Sequence, residues 1–579
     1  MNRFLLLVLL LLVAKQAPAQ TAPLEVESQQ ARSTTIITGR VVASSSNFPI
    51  ANARVLARAA GAPSAMRMAT TDDDGKFQLT NLTPANYVIR IVAPGYVAEL
   101  VPADTPAEFH RPGENITVRM IKGGVITGRV VNQNGQPMAL ARVRAVRVRD
   151  EVGNAVRDSM ARDWTTDDRG VYRAYGLEPG AYVVSANLTS QFRQNTEIGP
   201  TYHPSATLDT ATPVNVIAGN ESGGIDIRYR PEHAYAVRGT VVGNAAQGPQ
   251  GATPGNAPLR RSIISVTLSH AATGVAVATT TIASTTATSV FNFDAVPDGA
   301  YELTAQVAPG SKDAALAPPQ RINVRGASVN DVVLTLTAMG SVSGRLLLET
   351  ATSTEGMESC GEPNKNALQE TLITASAITG RTAKQAPSLA SLLPIEAQPD
   401  SRGEFLLTNI SAGKYSLNVK PPNHRWYVRD IAWDGPTAAN GLPIQSRFNS
   451  LTLKSGERMQ GLTVKLALGA ASLTGRVSTA EGATLASLPG RLHVYAVPVK
   501  REHVDDVLRY AQAPVQPDGT FSLDHLAPDR YWLLLDMNQN GFLDAKTRAA
   551  LRRDAERANI SVDLKPCQQV ADYTLRFTP

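Results

Sequence analysis

Ile126-Thr127-Gly128-Arg129-Val130, then Asp167-Asp168-Arg169-Gly170-Val171-Tyr172, then Leu177-Glu178-Pro179-Gly180-Ala181-Tyr182, is the stretch that decides the fold. Each part recurs along the chain. An aromatic residue stands ten positions before a tyrosine five times, at Phe77/Tyr87, Tyr172/Tyr182, Phe291/Tyr301, Phe405/Tyr415 and Phe521/Tyr531. An aliphatic residue lies five positions before each tyrosine: Leu82, Leu177, Val296, Ile410 and Leu526. Gly75, Gly170, Gly403 and Gly519 precede four of the aromatics by two positions, and Ser289 stands in the fifth. Upstream of each unit runs apolar-x-Gly-Arg/Thr-Val/Leu, centred on Gly39, Gly128, Gly239, Gly344 and Gly475. A repeat of this kind sets the architecture before any other reading. The glycines lie roughly 90 to 130 residues apart, an ordinary domain size, so each copy can bury its own core.

Within a copy, short runs alternate apolar and polar residues. Ile116, Val118 and Met120 share one face of a strand, as do Tyr87, Ile89 and Ile91. Asp72-Asp73-Asp74-Gly75 and Leu82-Thr83-Pro84-Ala85-Asn86 are turn signals between such runs. Strands this short with Gly, Pro and Asp turns predict all-β structure: five tandem antiparallel β-sandwich modules of seven strands, with small helical additions in the last. The boundaries read as 36–122, 123–231, 232–338, 339–468 with an insertion at 349–396, and 469–579. In the last module Lys500 to Ala511 and Ala545 to Ala558 have helical patterns. Linkers are nearly absent, which limits hinge freedom and predicts an elongated, semi-rigid rod.

Residues 1–19 read as a signal peptide. Arg3 precedes the apolar run Phe4 to Ala14, which is too short to span a bilayer, and Ala17-Pro18-Ala19 offers a cleavage site. Residues 20–35 read as a disordered leader. Export to the periplasm, the cell surface or the medium follows, with no membrane span. Two cysteines, Cys360 and Cys567, leave two alternatives: one disulfide or two buried thiols. The net charge is +6, with arginines scattered rather than striped, which argues against nucleic-acid binding.

The paired signatures resemble carboxypeptidase regulatory-like domains, best at Ile126–Val130, Gly135-Gln136-Pro137, Asp167–Tyr172 and Leu177–Tyr182, and extend over about residues 36 to 579. The resemblance implies a transthyretin-like sandwich, also grouped with carbohydrate-binding-like folds. Such modules are accessories on many proteins, and similar tandem arrays occur in exported bacterial proteins, so fold does not carry function. No peptidase activity is implied.

The candidate chemistry is sparse. The tyrosines read as tyrosine corners, their hydroxyls bonded back to loop backbone, rather than sugar platforms. The Asp-Gly pairs read as turns. His424, Trp426, Tyr427 and Trp433 form an aromatic segment expected in a loop, the best candidate for a carbohydrate site. Asp536, Asn538, Asn540 and Asp544 place oxygens at EF-hand spacing, so calcium is a candidate cofactor. Against it, Thr547 replaces the twelfth-position Glu, and Asp544 is equally suited to cap a helix. His503 sits near Glu502 and Asp506 without the third ligand zinc needs. Arg142, Arg144, Arg147 and Arg149 suit either an acidic polysaccharide or a charge-protected edge strand. No nucleophile elbow or phosphate loop occurs. The function expected is therefore an exported, non-enzymatic binding or scaffold protein, with polysaccharide or cell-envelope proteins as partners. The alternative is an enzyme with an unrecognised site in the fifth module.

Overall fold

A computed structural model describes residues 35–61, 66–99, 108–156, 162–188, 199–230, 233–243, 262–284, 288–307, 314–349, 360, 365–378, 395–433, 449–479, 492–516, 518–537 and 543–577. The signal-peptide reading, nearly all of the leader and most of the 349–396 insertion lie outside them. The described chain is all-β apart from one α-helix, Ala545–Ala558, and short 3-10 turns. Its strands form paired sheets around five separate apolar cores, one per module.

Every module is built around its first strand. In module one, Ile37–Ala43 lies between Lys76–Leu79 on one side and Asn115–Lys122 on the other. The first pairing is antiparallel and the second parallel. Tyr235–Val242, Gly340–Glu349 and Ala471–Thr479 are flanked the same way. In module two, Gly124–Val131 takes its parallel partner in two short pieces, Glu221–Ser222 and Ile227–Arg228. The sandwiches are thus antiparallel except for the strand that closes each one. Period-two alternation says which face a residue occupies but not which way the strand runs, so this pairing was not legible.

The two repeated signatures meet in the register of the first strand. Gly39 pairs with Phe77, Gly128 with Tyr172, Gly239 with Phe291, Gly344 with Phe405 and Gly475 with Phe521. A methyl group on any of these glycines would come within 3 Å of a carbonyl oxygen of the closing segment: Ile116, Val332, Leu462 or Tyr573 on its strand, or Ile225 between its two pieces in module two. In four modules it would also strike the aromatic ring. Only glycine lets the closing backbone and the ring approach so near. In module two the ring is Tyr172, whose hydroxyl donates to the Ile225 carbonyl at 2.6 Å.

The second tyrosine of each pair closes a corner. Its hydroxyl donates to the carbonyl four residues back, at Thr83, Glu178, Pro297, Ser411 and Ala527 (2.9–3.1 Å). Burial pushes the Tyr182, Tyr301 and Tyr531 phenols above their ordinary pKa. The residue just before each repeated aliphatic has positive φ: Asn81 57°, Gly176 68°, Ala295 62°, Asn409 61° and His525 59°. Asn and Gly tolerate this conformation, whereas alanine pays for its Cβ. Ala295→Gly should therefore stabilise module three by about 0.5–1 kcal/mol, read as a raised unfolding midpoint.

Aspartates hold the turns before the aromatics. Oδ1 of Asp167 accepts the amides of Arg169 and Val171, and Oδ1 of Asp400 accepts those of Arg402 and Glu404. Asp518 accepts the amide and hydroxyl of Thr520. The bonds from Val171, Glu404 and Thr520 hold these three carboxyls below their ordinary pKa. Each contributes stability that is full above the unfolded value, about 3.9, and is lost as pH falls through the lower folded value. The melting temperature should fall on acidification below about pH 4, and the Asp167→Asn/Asp400→Asn/Asp518→Asn variant should fall less steeply.

The modules do not form a simple rod. Module one packs against module four. Arg58 pairs with the nearly buried Glu396, Asn86 donates to the Glu370 carbonyl at 2.8 Å, and Arg111 donates to that of Pro421 at 3.0 Å. Short junctions restrict hinge motion, but they can hold a bend as firmly as a straight line. Modules two and three meet at His270, whose Nε2 lies 2.8 Å from Asp209.

Candidate functional site

The aromatic segment of module four is a strand, Trp426–Trp433, rather than a loop. Alternation therefore splits its side chains. Trp426 is 1% exposed in the module's core, and Trp433 packs against the same core. Tyr427 points the other way, with the Arg509 guanidinium 5.8 Å from its ring centre, and His424 is exposed on the preceding turn. The four residues do not converge. Of the calcium candidates, two lie among the described residues. Asp536 ends the strand Asp529–Asp536, and the Asp544 carboxylate accepts the Thr547 amide at 2.7 Å as the helix cap. Asn538 and Asn540 lie outside the described residues.

The arginine-rich strand Arg142–Arg149 is not an edge. It lies between Arg162–Thr165 and Gly180–Asn187. Arg142 and Arg144 both bind Asp163, and Arg147 is buried against Glu178 and the Pro179 carbonyl. A strand inside a sheet needs no edge protection, and these cations already have partners.

Titratable groups do gather between modules four and five. Module five inserts a connection between its strands His493–Pro498 and Ala511–Pro514. The sequence there suggested a helix, but the chain makes two 3-10 turns, Arg501–His503 and Val507–Arg509. Asp506 separates them: its backbone is extended and its carboxylate caps the Leu508 amide at 3.1 Å. Leu508 packs onto the core of module four. Nearby, Cys360 and Cys567 form a disulfide with Cα atoms 5.3 Å apart, and the Cys567 amide donates to the Gly469 carbonyl. His525 of module five donates from Nδ1 to the Trp426 carbonyl, 2.9 Å away, and burial holds its imidazole below the usual value.

These contacts frame a cleft of about 310 Å³ lined by Glu349, Arg429, Asp430 and Lys465 of module four and His503, Asp506, Leu508 and Arg509 of module five. A register shift between Val428 and Asp430 brings the neighbours Arg429 and Asp430 to the same cleft, the re-aiming a bulge allows. Arg429 binds Glu349. His503 is held from behind: its Nδ1 lies 2.6 Å from Asp529, whose carboxylate is 1% exposed and also meets Lys500 at 3.1 Å. Burial pushes the Asp529 carboxyl up, but the Arg530 amide, Lys500 and His503 together hold it below its ordinary value. Sequence reading paired His503 with Glu502 and Asp506 at local spacing. The true partner stands 26 residues away, at the start of the strand Asp529–Asp536. No cluster of metal-binding side chains occurs among the described residues, nor is any helix there long and apolar enough to cross a membrane.

Comparison with known proteins bears on the fold. No curated protein matches the chain. Among solved structures, the minor pilin GBS52 of Streptococcus agalactiae is 15% identical over 34% of this chain and 97% of its own, with a TM-score of 0.20. BcpA, the major pilin subunit of Bacillus cereus, is 12% identical over 60% of this chain and 100% of its own, with a TM-score of 0.14. The Bacillus anthracis TIE protein is 12% identical over 71% of this chain, which covers 58% of that protein, with a TM-score of 0.13. Likenesses of that size carry no weight for function. The family model of the carboxypeptidase regulatory-like domain matches residues 36–118, the span that holds the Gly39–Phe77 pair and the Tyr87 corner. Module one is therefore a carboxypeptidase regulatory-like domain, and the four modules after it repeat its glycine, aromatic and tyrosine.

Proposed function

We propose that this chain is an exported, non-enzymatic scaffold or binding protein of the cell envelope, with carbohydrate as its ligand class. One observation carries the reading. Every residue repeated five times is used inside its own module, the glycine beneath the ring and the tyrosine hydroxyl on its own loop. The repeated machinery serves folding, while contacts between modules fix how their surfaces are presented. The carbohydrate part rests on the fold resemblance. A glycan array probed with the mature chain tests it, with a module-five deletion as control. Binding to no glycan removes the carbohydrate reading.

A second reading, an enzyme with its site in module five, is favoured by His503, which a buried aspartate orients at the edge of a cleft containing carboxylates. Turnover of a hydrolase substrate panel that is lost in His503→Ala would replace the scaffold reading. Inactivity across the panel would support it.

A further inference from the structure

The geometry points to a binding site for an oxyanion, the carboxylate or phosphate group of a small hydrophilic ligand, in the cleft between modules four and five. It is independent of the glycan reading, since it depends on the donor set and not on the fold family.

The cleft is preformed. The Cys360–Cys567 disulfide and the Leu508 plug hold its two walls together, so a ligand need not order them on binding. Its three full cations match its three carboxylates in number, but they are not all paired. Arg429 is engaged by Glu349, but the Lys465 ammonium is 3.8 Å from that carboxylate, beyond hydrogen-bond reach. Arg509 is similar. Its Nε is buried without a hydrogen-bond partner among the described residues, and the nearest Asp506 oxygen is 3.6 Å away. A buried guanidinium nitrogen left without an acceptor is costly. His503 gives its Nδ1 hydrogen to Asp529, so its Nε2, 3.7 Å from Glu502, offers a second N–H to an anion only in the imidazolium form.

The acceptors present are largely committed. Glu349 is taken by Arg429, and Asp506 is taken by the Leu508 amide. Asp430 is the exception. Its carboxylate has no hydrogen-bond or ion-pair partner among the described residues, and it would repel an anion. Lys465, Arg509 and His503 nonetheless converge on one hydrophilic space of about 310 Å³, room for a monosaccharide-sized ligand. An oxyanion would take a charge-assisted bond from the Lys465 ammonium and be drawn by the Arg509 charge, with a further bond from His503 in its imidazolium form.

The test is calorimetric titration of the full mature chain at low ionic strength with three probes: inorganic phosphate, glucuronate and glucose. Binding of phosphate or of glucuronate, with glucose much weaker, is expected, and the stronger of the two anions identifies the source of the oxyanion. Lys465→Gln removes a donor that makes no hydrogen bond among the described residues, and should weaken binding about tenfold. Asp430→Asn should tighten it about threefold. Lys414→Gln, on a strand of the other sheet of module four, should change nothing. Failure of both anions to bind overturns the proposal, as does glucose binding as well as glucuronate, or affinity unchanged in both Lys465→Gln and Asp430→Asn. Arg509→Gln is a poorer probe, because Arg509 also packs on Tyr427.

Discussion

Gly344→Ala is expected to unfold module four at a markedly lower temperature, although a glycine-to-alanine change inside a strand ordinarily stabilises by about 0.5–1 kcal/mol. The sign reverses because the site is closed on two sides. The added methyl would lie within 3 Å of the Leu462 carbonyl oxygen and Cβ and of the Phe405 ring. None of these is the free end of a flexible side chain. Leu462 belongs to the closing strand, which is hydrogen-bonded to the first strand on either side of a register shift at this glycine. Phe405 is 5% exposed within the core. Relief would need the strands to separate or the ring to leave the core, and overpacking of this kind costs roughly 3 kcal/mol. Thermal unfolding followed by near-ultraviolet circular dichroism measures it. A midpoint equal to that of the unaltered protein would show that the closing strand does not press on this position. Adding Phe405→Ala should recover only part of the loss, because the backbone carbonyl remains. The same reasoning applies at Gly39, Gly239 and Gly475, and the repetition of glycine there is explained by that contact.

Much of this was legible because each repeated feature has a local cause. Alternation, turn residues and the tyrosine after a Leu-x-Pro turn all read at short range, and the corners formed where that pattern placed them. The glycine and aromatic signatures were each visible, but their pairing was not, since it depends on strand register between segments about forty to sixty residues apart. The left-handed residue before each aliphatic was half visible. Asn81, Gly176 and Asn409 are suited to it, while Ala295 and His525 conceal it. Contacts between modules left no periodic trace. Arg58 meets Glu396 across 338 positions, and the cleft takes residues from Glu349 to Arg509. The rod expectation failed for that reason: linker length limits freedom, but the direction of a junction is set by side chains such as Asn86 and Arg111. The aromatic candidate at Trp426 shows the reverse. Its residue types suited a sugar platform, but strand alternation turned the largest ring inward.

Removing the Cys360–Cys567 disulfide, by Cys360→Ala/Cys567→Ala, is expected to separate the unfolding of module five from that of module four. The bond closes a loop across 207 positions, and the chain-entropy model gives about 5 kcal/mol for a loop of that length, with about 3 kcal/mol a typical realised value. The location matters more than the total. Cys360 is 1% exposed in the core of module four, whereas Cys567 sits in the turn that leads into the closing strand of module five, with its amide on the Gly469 carbonyl at the junction. The bond therefore joins two cores that otherwise meet through noncovalent contacts such as the Leu508 plug, the His525–Trp426 bond, Arg509 over Tyr427 and backbone bonds at the junction. Without it, those contacts must resist the full rotational freedom of module five. Scanning calorimetry should resolve an added low-temperature transition in the double variant, and in the unaltered protein under reductant. A single unshifted transition in both would mean that the noncovalent junction suffices. Because His503, Asp506 and Arg509 reach the cleft only while module five is held against module four, the same variant should also lose oxyanion affinity at temperatures where both modules remain folded. Loss of binding would then precede loss of structure, the order expected if the disulfide maintains a site between domains and not merely the domains themselves.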